Sequence, residues 1–361
     1  MFRGLMCALV FLLAFPVTAS AFPQQLVTIT VAASSKSAFS TTLTVEDSGR
    51  LAKQILRSPA RKTSQKPELP RAKIAIGKKR FVYDSLSRLF EPSHSRMILL
   101  SGTVSRELEH WVTAAEQKHF GRFLAWELVR KDFHRMSYAD VIDLETGQRF
   151  RVQRRAGSRH ADVQPLTKED TRIMKGIYQG KWSWKRRAIL VKVGNNCYAA
   201  SMHGMPHGAG AIKGNDFPGH FCIHFAGSTT HRRNVPDPSH SLMILKAAGK
   251  LPQQLMTAEP HMLVEYFLTA AREQDTAILD MMTDGAALPF RPDEIFWLTR
   301  VGGETDPDDV HLVTAKIPVR VSYLTKEGGE RKETWLFHLE RSSFLERWKI
   351  TGITRGEKAD D

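Results

Sequence analysis

The stretch from Ser201 to His231, SMHGMPHGAGAIKGNDFPGHFCIHFAGSTTH, sets five of the chain's 14 histidines around one of its three cysteines. A thiolate attacks carbonyl carbon well only when something draws its pKa down from about 8.5, and a neighbouring imidazole is the commonest means. In GHFCIHF, His220 and His224 stand two residues to either side of Cys222. Read as a strand, that spacing puts the three side chains on one face. His203, at the end of the preceding strand, joins them if the Gly-rich loop between folds back. The chemistry on offer is nucleophilic acyl transfer, with Cys222 as nucleophile, His220 as base and His203 orienting or polarising the pair. His207 and Gly208 read as flexible loop, and His231 and His240 as surface.

The same residue types suit a metal. His160 and Asp162 in RHADVQ, with His220 and His224, offer the nitrogen and oxygen donors that zinc takes. The cysteine chemistry needs no cofactor, whereas this alternative needs zinc and leaves Cys222 without a role unless its thiol is a ligand.

The compartment decides what a cysteine can mean. The chain opens MFRGLMCALVFLLAFPVTASAFPQQ, with Arg3, an apolar run from Leu5 to Val17 and the small residues Ala19-Ser20-Ala21. Residues 1–21 read as a cleaved secretory signal. The apolar run is short of the roughly 20 residues of a membrane span, so contact with a membrane is expected only through an uncleaved signal. Cys7 leaves with the signal, and Cys197 and Cys222 remain. A disulfide between them is one reading of an exported pair. A chain of this size builds a core without such a staple, so Cys197 reads as a small buried hydrophobe and Cys222 as a free reactive thiol. The net charge of +14 points to an anionic partner. Export argues against nucleic acid and for peptidoglycan or another anionic wall polymer, with a secreted or wall-associated location.

The positioning elements follow from periodicity and turn residues. Residues 22–48 alternate as a small β-rich segment, and 49–80 read as a flexible basic linker. Residues 81–137 read as a helical segment, with two short helices broken near Gly121. From 138 to 250 the chain reads as one β-dominated domain. It has a hairpin turn at Glu145-Thr146-Gly147, a helix capped by Thr167 with Asp170 three residues on, and strands joined at Gly194-Asn195. Its last helix, DPSHSLMILKAAG, closes at Gly249. Residues 257–353 give helices and then three antiparallel strands, and 354–361 a polar tail. The fold class is α+β and multidomain, with a His/Cys-rich loop on the central domain.

His203-Gly204, followed after a Gly-rich loop by His220 and Cys222-Ile223, resembles the active-site arrangement of the L,D-transpeptidases. There a His-Gly strand end precedes a Ser-His-Gly-Cys-x-Arg signature. Over about residues 140–250 the resemblance implies a cysteine that attacks a stem-peptide carbonyl, a signature histidine, His220, that accepts its proton, and an acyl-enzyme that is cross-linked or trimmed. Gly204 and His224, the latter in the place of the family's arginine, are then substrate contacts. Arg186 and Arg187 read either as a bidentate clamp for a stem-peptide carboxylate or as solvated residues at a strand edge, and Trp182 and Trp184 as one packed face rather than a platform for sugar rings. Gly219 replaces the signature serine and Phe221 the glycine that lets the backbone turn closely around a bound carbonyl. The wider run from DLETGQRF to GSTTH is similar to a domain of exported Firmicute proteins, which suits a wall setting and supplies no activity. The last hundred residues resemble the nuclear transport factor 2-like, or cystatin-like, cone of a curved sheet around helices. That resemblance rests on element order and the terminal WKITGI. A non-catalytic wall-binding protein is the reading that uses none of the histidines.

Overall fold

Val27, Ile29 and Val31 are buried while the residues between them are not, the period of a strand with one face on a core. The computed structural model describes residues 26–46, 48–230, 235–283, 285–302, 313–326 and 328–358. The expected signal, residues 1–21, lies outside them, as do His231 and Glu327. Among the described residues no helix is long and apolar enough to cross a membrane.

The first body is an antiparallel sheet of seven strands. These are β1 (Val27–Ala32), β2 (Ser40–Thr44), β3 (Ala60–Lys62), β4 (Ala72–Ile76), β5 (Lys79–Tyr83), β6 (Leu89–Glu91) and β7 (Arg96–Ile98), in the order β2-β1-β4-β5-β6-β7-β3. Helices α1 (Gly49–Arg57) and α2 (Gly102–His119) cover it, with Leu51, Ile55, Leu108 and Val112 in one core with Ile29 and Ile74. Residues 49–80 are therefore not a linker. Their lysines and arginines obscure the pattern, yet Lys73 is exposed between buried Ala72 and Ile74, and α1 buries Leu51, Ala52 and Ile55. For the same reason 81–137 is not purely helical, since β6 and β7 precede α2. The expected break near Gly121 is present. Helix α3 (Trp126–Asp132) follows it, and a Cβ on Gly121 would lie 2.3 Å from the Ala199 amide, so the chain passes against the central body there.

That central body is a closed antiparallel barrel of β8 (Tyr138–Asp143), β9 (Arg149–Ala156), β10 (Ala161–Pro165), β11 (Arg186–Val193), β12 (Asn196–His203) and β13 (Phe221–His224), in the order β10-β13-β12-β11-β8-β9. Val141, Val152, Val163, Ile189, Met202, Phe221 and Ile223 fill its interior, as side chains fill small barrels generally. Alternation then sends Asp162, His203, Cys222 and His224 to the outside. Helix α4 (Lys168–Ile177) starts at a reciprocal capping box of Thr167 and Asp170. Helix α5 (Pro238–Ala247), capped by the Asp237 carboxylate, lies on the outer face of β11 and β12.

Beyond α6 (Leu251–Thr257), helices α7 (Pro260–Glu273) and α8 (Thr276–Thr283) pack on an antiparallel meander of β14 (Ile295–Arg300), β15 (Thr314–Thr325), β16 (Glu330–Glu340) and β17 (Lys349–Lys358). The sheet has four strands where the sequence suggests three, and β17 runs through most of the expected tail. The extra strand, IFWLTR, lacks the alternation that marks its neighbours, because Phe296 and Trp297 are both exposed. Leu242 and Met243 of α5 share one core with Leu190 and Ala199 of the barrel and Leu263 and Phe267 of α7. The fold is α+β, β-rich and multidomain.

Candidate active site around Cys222

Cys222 on β13 sits directly across from Asp162 on β10, with Sγ 3.7 Å from Asp162 Oδ1. On its other side, His207 Nε2 lies 3.4 Å from Sγ. His207 Nδ1 is 3.1 Å from the Met205 carbonyl. A carbonyl only accepts, so Nδ1 carries the proton and Nε2 presents a lone pair to the thiol. His203 adjoins the pair, its Nδ1 accepting the Met205 N–H at 3.3 Å. Trp184, half exposed, covers both rings, with centroids 4.7 Å from His203 and 5.4 Å from His207.

The loop between β12 and β13 brings His207 here by folding back on itself. The backbones of His207 and His220 exchange two hydrogen bonds of 2.9 Å. Gly219, at φ +112°, permits this, since a Cβ there would lie 2.5 Å from the His207 carbonyl oxygen. Gln164 then ties the loop to β10, donating to the Gly219 carbonyl at 2.7 Å and accepting from the Ala211 and Ile212 amides at 2.8 and 3.1 Å.

Behind Asp162 stands His160. Its Nδ1–H donates to the Thr229 carbonyl at 2.9 Å, and its Nε2 lies 3.1 Å from Asp162 Oδ1. The His160 ring stacks on His224 at 4.5 Å, and His224 on His240 at 3.8 Å. His240 Nδ1 is 2.9 Å from the Ser201 hydroxyl.

Burial, and then the Asp162 carboxylate, push the Cys222 thiol well above the usual thiol range. Burial pulls His207 down, and pulls buried His203 and His240 well down, the Arg186 charge adding to the effect on His203 and the neighbouring His224 on His240. The resting pair is therefore a neutral thiol beside a neutral imidazole. No thiolate stands in the site at neutral pH, and the proton has to leave as the sulfur attacks.

Several expectations are corrected. The imidazole on the thiol is His207, expected in a flexible loop, while His220 Nδ1 faces the Ala209 carbonyl at 3.1 Å. His220 precedes β13, so the two-residue face rule does not reach it. His203 does lie beside the pair. His224 is enclosed in the histidine stack, 3% exposed, and offers no surface to a substrate. His240 is equally buried and is not a surface residue. Arg187 is bidentate to buried Asp143 at 2.9 and 2.6 Å, and Arg186 meets Asp237 at 3.0 Å, so both guanidiniums are committed within the fold. Gly204 serves packing, since a Cβ there would lie 2.4 Å from the Tyr178 ring. Phe221 fills the barrel interior. Trp182 packs against Phe217 while Trp184 covers His203, so they share no face. Both Cys197 and Cys222 are free thiols.

Among the described residues, two groups of side chains have ligand atoms all within 4.8 Å of one another: His160, Asp162 and Cys222, and His203, His207 and Cys222. His160 and Asp162 are thus adjacent as the zinc alternative requires, but His220 and His224 belong to neither group, and the thiol belongs to both. The pairing of His207 with His220 left one trace in the sequence, a glycine beside each, which is what close antiparallel approach of two loop segments needs. Comparison with known proteins returns no matching family model, curated protein or solved structure, so the chemistry of this chain is read from the site itself.

Proposed function

We propose that the protein is an extracytoplasmic cysteine acyltransferase acting on peptidoglycan stem peptides through an acyl-enzyme on Cys222. The observation that carries this is the 3.4 Å approach of His207 Nε2 to the thiol, with the tautomer fixed by the Met205 carbonyl. Sulfur attacks the stem-peptide carbonyl carbon while the thiol proton passes to His207 Nε2. As the tetrahedral intermediate collapses, the C–N bond breaks and His207 returns the proton to the leaving amine. An acceptor amine, or water, then attacks the thioester, gives its proton to His207 and releases Cys222, which recovers that proton. The Met205 carbonyl holds the ring as the third member of a triad does, and the Asp162 carboxylate favours the imidazolium of each transfer state. Trp184 offers a half-exposed aromatic side chain beside His207, and the net charge of +14 favours an anionic polymer. The L,D-transpeptidase resemblance supplies the substrate class.

The test is release of the leaving amine from a disaccharide-tetrapeptide by chelator-treated protein. Turnover by the wild type and none by Cys222→Ser supports the reading. Turnover that survives Cys222→Ser, or that the chelator alone abolishes, contradicts it and assigns cleavage to a metal.

A further inference from the structure

We propose that Cys222 also anchors a zinc site, with His160 Nε2 and Asp162 Oδ1 as its other protein ligands, and that the bound ion holds the thiol in reserve. The capping role rests on Cys222 being the nucleophile proposed above. The site itself does not.

The three donor atoms lie within 4.8 Å of one another. His160 Nε2 to Asp162 Oδ1 is 3.1 Å, and Asp162 Oδ1 to Cys222 Sγ is 3.7 Å. Zinc bonds of about 2.0–2.3 Å in a tetrahedron give edges of about 3.4–3.6 Å between such donors. The three ligand atoms are thus close enough for one zinc to hold, on and beside two paired strands.

The tautomer agrees with this. His160 has Nδ1 donating to the Thr229 carbonyl, which leaves Nε2 as its ligating atom. Carbonyls on the far nitrogen are the usual outer-shell partners of metal-bound histidine. The charge also balances, because one thiolate and one carboxylate cancel the ion's two positive charges. That neutrality matters where Cys222 is 5%, Asp162 7% and His160 1% exposed. A thiolate with an imidazole favours zinc over the hard cations, which prefer oxygen. On binding, the S–H bond breaks, a Zn–S bond forms and the proton goes to solvent. The sulfur lone pair that would attack a carbonyl is then held by the metal.

The experiment adds zinc, and separately cobalt(II), to the full chain after chelator treatment. One ion per chain is expected by equilibrium dialysis, with a thiolate-to-cobalt charge-transfer band in the near ultraviolet. Cys222→Ser, close to isosteric, should lose the band and bind zinc at least about tenfold more weakly, and His160→Gln should also weaken it. One equivalent of zinc should stop acylation of Cys222, and chelator should restore it. Cobalt bound without the band in the wild type, or zinc bound equally by Cys222→Ser, overturns the site. The band with acylation undiminished by zinc overturns the capping role. Zinc bound by a protein whose stripped form never acquires an acyl group defeats the acyltransferase reading and upholds the site.

Discussion

His207 Nε2 stands 3.4 Å from Cys222 Sγ because the loop before β13 doubles back until His207 and His220 pair through their backbones. The ring that serves the thiol is therefore fifteen residues away in sequence, and the ring two residues away is turned aside. Loss of a general base typically costs about 10²–10⁴-fold in rate. His207→Ala should fall in that range for acylation of Cys222, and His220→Ala should stay within about tenfold of wild type by the same single-turnover assay. The reverse order would return the base to His220.

Gly219 carries the loop. Its φ of +112° and the 2.5 Å approach of a Cβ to the His207 carbonyl oxygen mean that Gly219→Ala strains the backbone and parts the two segments. Backbone strain alone costs roughly 1–3 kcal/mol, readable as a fall in urea midpoint, and acylation should drop with it. Gly180→Ala, at φ +79° with nothing within 4 Å, should leave acylation intact. Equal behaviour of the two variants would show that the loop does not position His207.

Arg187 separates structure from substrate binding. Its guanidinium is held on Asp143, whose side chain is 0% exposed against 25% for Arg187, and although burial lowers the arginine's pKa, the Asp143 charge and hydrogen bonds outweigh it and raise it. Removing one member of such a pair typically costs about 3–5 kcal/mol, because the other charge is left buried alone. Arg187→Met should therefore lower stability while KM of the folded fraction stays unchanged. A rise in KM with stability intact would restore the carboxylate clamp expected from the sequence.

Acid sensitivity should come in part from His119, far from the thiol. The residue is buried against Phe39 and Phe120, with Nδ1 3.0 Å from the Thr41 hydroxyl, and burial lowers its pKa to about 4. Its folded pKa lies below the unfolded value of about 6.5, so the unfolded chain binds the proton more readily. The stability it contributes is full above about pH 6.5 and is lost as pH falls toward 4, at up to about 1.4 kcal/mol per pH unit. Urea midpoints between pH 7 and 5 should fall in the wild type, where buried His203 and His240 add to the slope, and less steeply in His119→Phe. Parallel slopes would exclude His119 as the titrating group.

What the sequence made legible was local. The Thr167–Asp170 capping box, the Gly194-Asn195 turn and the break at Gly121 each depend on a few adjacent residues, and each is where the spacing predicts. Residues 49–80 were hidden because strands that expose lysine and arginine on one face have the composition of a solvated linker. The site was half legible for a related reason. Cys222, His203, His160 and Asp162 lie on or beside strands whose alternation survives in the sequence, but His207 is placed by a loop whose course depends on Gly219 and on Gln164, 55 residues earlier. His224 and His240 were misplaced because α5 covers that face, a contact that no local pattern encodes.

The most direct test is the intact mass of the chelator-stripped protein after brief exposure to a disaccharide-tetrapeptide, followed by peptide mapping. The account predicts a mass increase equal to the acyl portion of the stem peptide, mapped to Cys222, present in wild type and His220→Ala and greatly slowed in His207→Ala. An unmodified Cys222 in a protein that still consumes the peptide, or an adduct mapped to Cys197, would contradict it.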